Sequence, residues 1–219
     1  MMQRRPEPEI MDAPERARAY AAADFAEVNA AFVDAVVSHA AATPVRRLLD
    51  LGCGPGDITA ALAQRMVTEV AVGIDASPAM LGFAQSINPT KSRRCFFIRA
   101  DALRLPFPPA SFAAVVSNSI LHHVRDAAAF WREVLRVSAA SALLFHRDLS
   151  RPDSAAAARA IVDEHAANEH AYLREDFYNS LRAAYTADEI RDQLRSAGIV
   201  DAKVTQITDR HLDIVFRRP

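Results

Sequence analysis

The sequence predicts an α/β fold: a mostly parallel sheet of seven strands with a terminal antiparallel hairpin, N-terminal helices and a helical insertion. Three observations carry this. Leu48–Thr59, LLDLGCGPGDIT, is an apolar run that passes through three glycines into a helix start. Val70, Val72 and Ile74 alternate along a second run that ends in Asp75. Apolar segments of strand length, such as Phe112–Ser117, then alternate with amphipathic segments of helical period. Strands separated by helical patterns are the mark of βαβ units.

The elements follow in order. Met1–Pro14 carries Pro6, Pro8 and Pro14 and reads as a flexible, loosely attached tail of residues 1–14. Residues 15–43 are alanine-rich, with Phe25, Val28, Phe32, Val33, Val36 and Val37 at three- and four-residue steps, and form a helical cap of one or two helices. Asp24 can cap the second helix, with Glu27 three residues on. Val45–Leu51 is the first strand and Ile58–Met66 the helix after the glycine loop. Pro78 suits the first turn of the next helix. Cys95–Arg99 is the third strand. Phe112–Ser117, nearly all apolar, is a central fourth strand. Asp126–Val137 is an amphipathic helix and Ser141–Phe145 the fifth strand, with HRDL at its ligand-facing end. Residues 153–184 are a helical insertion. Thr186 and Glu189 form a capping box for the last helix, and two strands around Asp209–His211 close the sheet.

Composition bounds the function. The chain has 219 residues, 51% hydrophobic and 24% charged, which suits one globular domain over residues 15–219. A net charge of -1 gives no electrostatic case for a nucleic-acid partner. The basic clusters Lys91–Arg94 and Arg217–Arg218 are too short to change that. Cys53 and Cys95 make no disulfide framework. No long apolar run or signal-peptide core is present, so a cytoplasmic location without membrane contact is expected.

The glycine loop sets the chemistry. A strand, a glycine-rich turn and a helix start form the usual cradle for a nucleotide-like ligand. Gly52, Gly54 and Gly56 are not at dinucleotide spacing, and Asp50 stands immediately before them. A carboxylate there repels a pyrophosphate but accepts hydrogen bonds from an ammonium or hydroxyl. DLGCGPG resembles motif I of the class I S-adenosylmethionine (SAM)-dependent methyltransferases, in their small-molecule, type 11-like form. GIDASPAML and LHH resemble the second strand and the end of the fourth strand in that family, and the resemblance runs from about Tyr20 to Phe216. It implies a Rossmann-like fold with SAM as cofactor.

On that resemblance Gly52, Gly54 and Gly56 wrap the methionine and ribose part of SAM, with Asp50 near the methionine amine. Asp75 accepts from the ribose hydroxyls; Ala76 and Met80 line the adenine pocket; Asp101 and Ala102 meet the adenine edge. Asn118 contacts the methionine side and Tyr20 folds over the site. The insertion is the expected substrate lid.

The catalytic candidates are His122, His123, Arg147 and Asp148. A histidine at this place can be a general base or can hold backbone. Arg147 can clamp an anionic group, pair with Asp148, or fix the insertion. No metal is expected: two adjacent histidines lack a third ligand at convincing spacing, although His146, His165, His170 and Asp148 can converge in three dimensions.

The function expected is methyl transfer from SAM to a small-molecule acceptor. A non-catalytic SAM-binding or partner-binding module, and an enzyme using SAM for another reaction, share the same cofactor residues. An NAD-dependent dehydrogenase shares the strand, loop and helix but not the glycine spacing. The acceptor and the oligomeric state are not legible.

Overall fold

The computed structural model describes residues 2–7, 13–40, 44–66, 68–87 and 94–218. Residues 8–12 of the tail, 41–43 of the cap and 91–93 of the Lys91–Arg94 cluster lie outside that range. One seven-stranded sheet has the order β3-β2-β1-β4-β5-β7-β6. Its strands are β1 (Arg47–Leu51), β2 (Val70–Asp75), β3 (Cys95–Arg99), β4 (Phe112–Asn118), β5 (Ser138–Leu149), β6 (Lys203–Gln206) and β7 (His211–Arg217). The first five are parallel, and β7 runs antiparallel between β5 and β6. The chain reverses its direction of travel across the sheet between β1 and β4, where open α/β sheets leave a crevice at the strand ends.

Eight helices are described: α1 (Pro14–Ala22), α2 (Ala26–Ala40), α3 (Asp57–Arg65), α4 (Pro78–Ile87), α5 (Ala127–Val137), α6 (Ala155–His165), α7 (Ala171–Ala183) and α8 (Ala187–Ser196). Each face of the sheet has its own core. On one, Phe130, Trp131 and Val134 of α5 and Ile190 and Leu194 of α8 meet the apolar side chains of β1, β4 and β5. On the other, Phe32, Val33 and Val36 of α2 and Leu62 of α3 cover Leu48, Val116 and Phe145. Side chains such as Trp131 and Phe32 are wholly buried and stabilise the fold by about 1.5–3 kcal/mol each, the scale for burying a large apolar group.

Local signals explain the boundaries. Asp126 caps α5 through the Ala129 amide at 2.9 Å. Thr186 and Glu189 form the complete capping box of α8. Asp24 accepts from the Ala26 amide at 3.0 Å at the start of α2. The helical insertion is α6 and α7, with its own apolar centre at Ile161, Val162 and Leu181.

Two elements differ from the sequence reading. β5 extends to Leu149, so His146, Arg147 and Asp148 lie inside the strand and not beyond its end. The reason is β7, which pairs antiparallel as far as Leu149↔His211 and supplies ladder partners for the whole HRDL segment. The described part of the tail is also docked. Arg4 Nε donates to the Ala183 carbonyl at 2.6 Å, and its guanidinium lies 3.8 Å from the Tyr185 ring centre. The Arg5 amide donates to the Arg182 carbonyl at 2.9 Å.

Candidate functional site

The β1–β4 crevice opens into a cavity of about 750 Å³. Its floor is the glycine loop and the ends of β2 and β4. Its roof is α1, the start of α2, and the inserted helices α6 and α7. That volume lies within the range of small-molecule and cofactor pockets.

The glycine loop reaches the cavity through backbone that favours glycine. Gly52 and Gly54 have φ of +69° and +53°. A Cβ at Gly52 would stand 2.8 Å from Ile120 Cδ1, whereas one at Gly54 meets nothing within 4 Å. The loop is therefore tight beneath Gly52 and open above Gly54. Asp75 holds it in place: its Oδ2 accepts from the Gly54 amide at 2.9 Å and its Oδ1 from the Ser77 amide at 2.8 Å. One carboxylate thus ties the loop after β1 to the start of α4, and it still faces the cavity. Each oxygen keeps a lone pair for a further donor. Burial holds the Asp75 carboxyl above its usual range, against the three backbone donors that lower it.

The cavity brings together most of the residues expected to serve a ligand. Tyr20, Gly52, Gly54, Asp75, Ala76, Met80, Asp101, Ala102 and Asn118 all line it. Asp101 also accepts from the Leu103 amide at 2.8 Å, which sets its turn. Tyr20 stacks at a tilt on Phe25, 4.8 Å between ring centres. Its hydroxyl pKa is pushed up to about 12 by burial and by the charges of Asp75 and Asp57.

Two loop residues are not brought to the cavity wall. Asp50 is 2% exposed and accepts from Thr59 Oγ1 at 2.6 Å beneath the loop. Burial, reinforced by the charge of Asp75 and opposed by the Thr59 hydrogen bond, raises its pKa to about 7. Gly56 lies over β3: a Cβ there would sit 2.6 Å from Phe97 Cζ.

The second half of the cavity belongs to His122, His123 and the α7 residues Leu173, Asp176, Phe177 and Ser180. The histidines are in a 3-10 turn, Leu121–His123, directly after β4. Alternation along β5 sorts His146, Arg147 and Asp148. His146 and Asp148 point to the α5 face, and Arg147 to the α2 face. Asp148 Oδ1 lies 2.6 Å from His122 Nδ1, and its Oδ2 accepts from the Leu121 amide at 2.5 Å. Burial alone would lower the His122 pKa, but the charge and hydrogen bond of Asp148, with Glu7, hold it above the usual histidine range. Asp148 does not line the cavity; it holds the residue that does.

Arg147 is committed elsewhere. It makes a bidentate pair with Asp213 on β7, at 2.7 and 2.9 Å, on the face packed by Phe32. The strand register puts the two residues directly opposite. His146 is a core histidine, packed edge-on against Trp131, with Nδ1 2.8 Å from Ser117 Oγ. Burial lowers its pKa to about 3, against a small opposite effect from Asp148.

Glu7 is a site residue that the sequence did not mark. Its Oε1 accepts from Ser180 Oγ at 2.8 Å and lies 3.3 Å from His123 Nδ1 and 3.6 Å from His122 Nε2. Burial raises its carboxyl pKa, with His122 pulling the other way. Glu7 stands more than a hundred residues from these partners and in no local motif, so no sequence signal pointed to it.

Residues 48–140 match the family model described as a methyltransferase domain. The chain is 35% identical over 116 residues to a demethylmenaquinone methyltransferase of Roseiflexus sp. (strain RS-1), covering 53% of this chain and 48% of that protein. It is 31% identical over 152 residues to a malonyl-[acyl-carrier protein] O-methyltransferase of Legionella pneumophila, covering 67% of this chain and 52% of that protein. The chain thus spans about half the length of these curated relatives. Among solved structures, a SAM-dependent methyltransferase from Aquifex aeolicus superposes with a TM-score of 0.69 at 15% identity, covering 94% of this chain and 99% of that one. The plantazolicin methyltransferase BpumL, solved with a pentazolic desmethylPZN analog and SAH, superposes with a TM-score of 0.72 at 10% identity, covering 94% of this chain and 90% of that one. These superpositions establish the fold. The sequence match over residues 48–140, through the glycine loop and the first four strands, makes that part of the chain a methyltransferase domain, and the chain as a whole is similar to the class I SAM-dependent methyltransferases.

Proposed function

We propose that this chain transfers a methyl group from SAM to a small-molecule acceptor held beneath the α6–α7 lid. The observation that carries this reading is Asp75. It fixes Gly54 and the start of α4 with one carboxylate and presents that carboxylate to the cavity between the glycine loop and Met80.

In this reading the residues fit the cofactor. Asp75 would accept from the ribose hydroxyls, with charge-assisted bonds stronger than neutral ones. Asp101 and the Ala102 amide would take the adenine edge, between Ala76 and Met80. Gly52, Gly54 and Asn118 would hold the methionine portion, and Tyr20 would cover it. Asp50 would act from below, by fixing Thr59 and the loop. Bound SAM supplies a methyl group already activated on a positively charged sulfur. The chain has then to align a nucleophile with it and keep water out.

Phe25, Leu173 and Phe177 give the roof its apolar surface. His122, oriented by Asp148, and His123 give the acceptor half its polar atoms. Arg147 has no part in the chemistry, because Asp213 already satisfies it. The named substrates of the relatives include a quinone precursor, which suits a small-molecule acceptor here. A net charge of -1 gives no case for nucleic acid. No described helix is long and apolar enough to cross a membrane.

Calorimetry on the purified chain tests the reading. SAM and S-adenosylhomocysteine should each bind at one site, and NAD should not bind. A folded protein that ignores both sulfur ligands would contradict it.

A further inference from the structure

We propose that Glu7, His122 and His123 form a site for a divalent transition-metal cation of the zinc class at the acceptor end of the cavity. The three residues offer two imidazole nitrogens and a carboxylate oxygen within 4.8 Å of one another. This is a donor set that such cations take in open sites, with three protein ligands and a position left for water or substrate.

The spacing supports a shared central ion. Zinc–nitrogen and zinc–oxygen bonds of about 2.0–2.2 Å at tetrahedral angles set neighbouring donors about 3.3–3.5 Å apart. Glu7 Oε1 lies 3.3 Å from His123 Nδ1 and 3.6 Å from His122 Nε2. The same residues make much shorter contacts elsewhere: 2.6 Å from His122 to Asp148, and 2.8 Å from Ser180 to Glu7. Glu7 therefore stands off both imidazoles at a distance suited to a bridging ion, while its outer partners are at hydrogen-bond distance.

Those outer partners are the second observation. Metal-bound histidines commonly give their other ring nitrogen to a carboxylate, which fixes the ring and its tautomer. Asp148 does this for His122, leaving Nε2 turned towards Glu7. Ser180 fixes the Glu7 carboxylate in the same way. The charges also suit a cation. The half-buried carboxylate of Glu7 and the buried one of Asp148 both face His122, against the Arg4 guanidinium, which is bound to the His122 and Val124 carbonyls. His122, His123 and Ser180 line the cavity, so a remaining coordination position can face an acceptor. A cation there would bind an acceptor oxygen, nitrogen or sulfur and favour its deprotonated, nucleophilic form. The binding site stands on donor geometry alone; its use in catalysis rests on the methyl-transfer reading.

The test uses the full chain without a polyhistidine tag, stripped with chelator and titrated with Co²⁺. One equivalent should give the intense visible absorption of four- or five-coordinate cobalt, and Zn²⁺ but not Mg²⁺ should abolish it. Glu7→Gln and His123→Ala should each weaken Co²⁺ at least about tenfold, the lower end of the loss seen on disturbing such sites. His165→Ala, in the exposed Glu164–His165–Asp209 group, should leave the titration unchanged. Absence of the wild-type spectrum, competition by Mg²⁺ equal to Zn²⁺, or folded Glu7 and His123 variants that titrate like wild type would each overturn the proposal. Calorimetry with SAM on the same stripped protein separates the two readings: SAM binding without cobalt defeats the cation site alone, and cobalt binding without SAM defeats the cofactor reading alone.

Discussion

Asp148 on β5 accepts the Leu121 amide at 2.5 Å and lies 2.6 Å from His122 Nδ1, so one buried carboxylate sets both the backbone and the ring at the end of β4. The Leu149 amide is its third donor, at 2.8 Å. With three donors and no exposure, it is a structural anchor for the turn that carries His122 and His123. Replacement by Asn keeps the shape but removes the charge and one acceptor. Asp148→Asn should cost on the order of 2–4 kcal/mol in urea unfolding at neutral pH, the scale for disturbing buried hydrogen bonds to a charged group. A change below about 0.5 kcal/mol would mean that the turn does not depend on it.

Arg147 and Asp213 make a contrasting pair. Both are nearly buried and satisfy each other through two bonds. Arg147→Met alone should destabilise by about 3–5 kcal/mol, because it leaves Asp213 buried without its partner. Arg147→Met with Asp213→Leu should recover most of that loss. SAM affinity should be unchanged in the double variant, measured by calorimetry; a loss of affinity there would restore Arg147 to the site.

The core histidine predicts a pH dependence with a definite sign. His146 has its pKa lowered by burial to about 3, below the ordinary value of 6.5. Between those values the unfolded chain binds a proton that the folded chain refuses. Its contribution to stability is therefore complete above pH 6.5 and is lost as pH falls towards 3. His146→Gln keeps a partner for Ser117 and removes the titration. Its unfolding free energy should fall less steeply than that of wild type over this window, and parallel curves would refute the assignment.

Asp50 predicts the opposite slope. Its folded pKa of about 7 exceeds its ordinary value of 3.8, so the folded chain holds a proton that the unfolded chain releases. Stability from this group falls as pH rises from about 4 to 7. Asp50→Asn, which can still accept from Thr59, should flatten that decline in denaturant titrations of the ligand-free protein.

The glycine-loop half of the cavity was legible as a set of neighbouring residues because its information is local. Strand, glycines and helix lie within Leu48–Thr59, and Asp75, Asp101 and Asn118 each end or follow a strand whose apolar run is visible. The seven strands and the helical insertion were legible from the same succession of apolar and helical segments, but the strand order was not. What could not be read depends on pairing between distant segments. Arg147 finds Asp213 only because β7 returns antiparallel along β5, and that same pairing lengthens β5 through HRDL. The docking of Arg4 and Glu7 rests on the carbonyls of Ala183 and His122 and on the Ser180 hydroxyl, which proline spacing in the tail cannot reveal. Asp50 differs for a simpler reason: the side chain before the glycines turns under the loop to Thr59 and away from the cavity.

The central claim is that Asp75 holds the glycine loop and the SAM ribose with one carboxylate. The most direct measurement is the SAM dissociation constant of Asp75→Ala against wild type, with folding checked by circular dichroism. Loss of a charge-assisted acceptor together with the Gly54 anchor should weaken SAM by about 30-fold or more, a change of at least about 2 kcal/mol. A folded Asp75→Ala protein with wild-type SAM affinity would contradict the account.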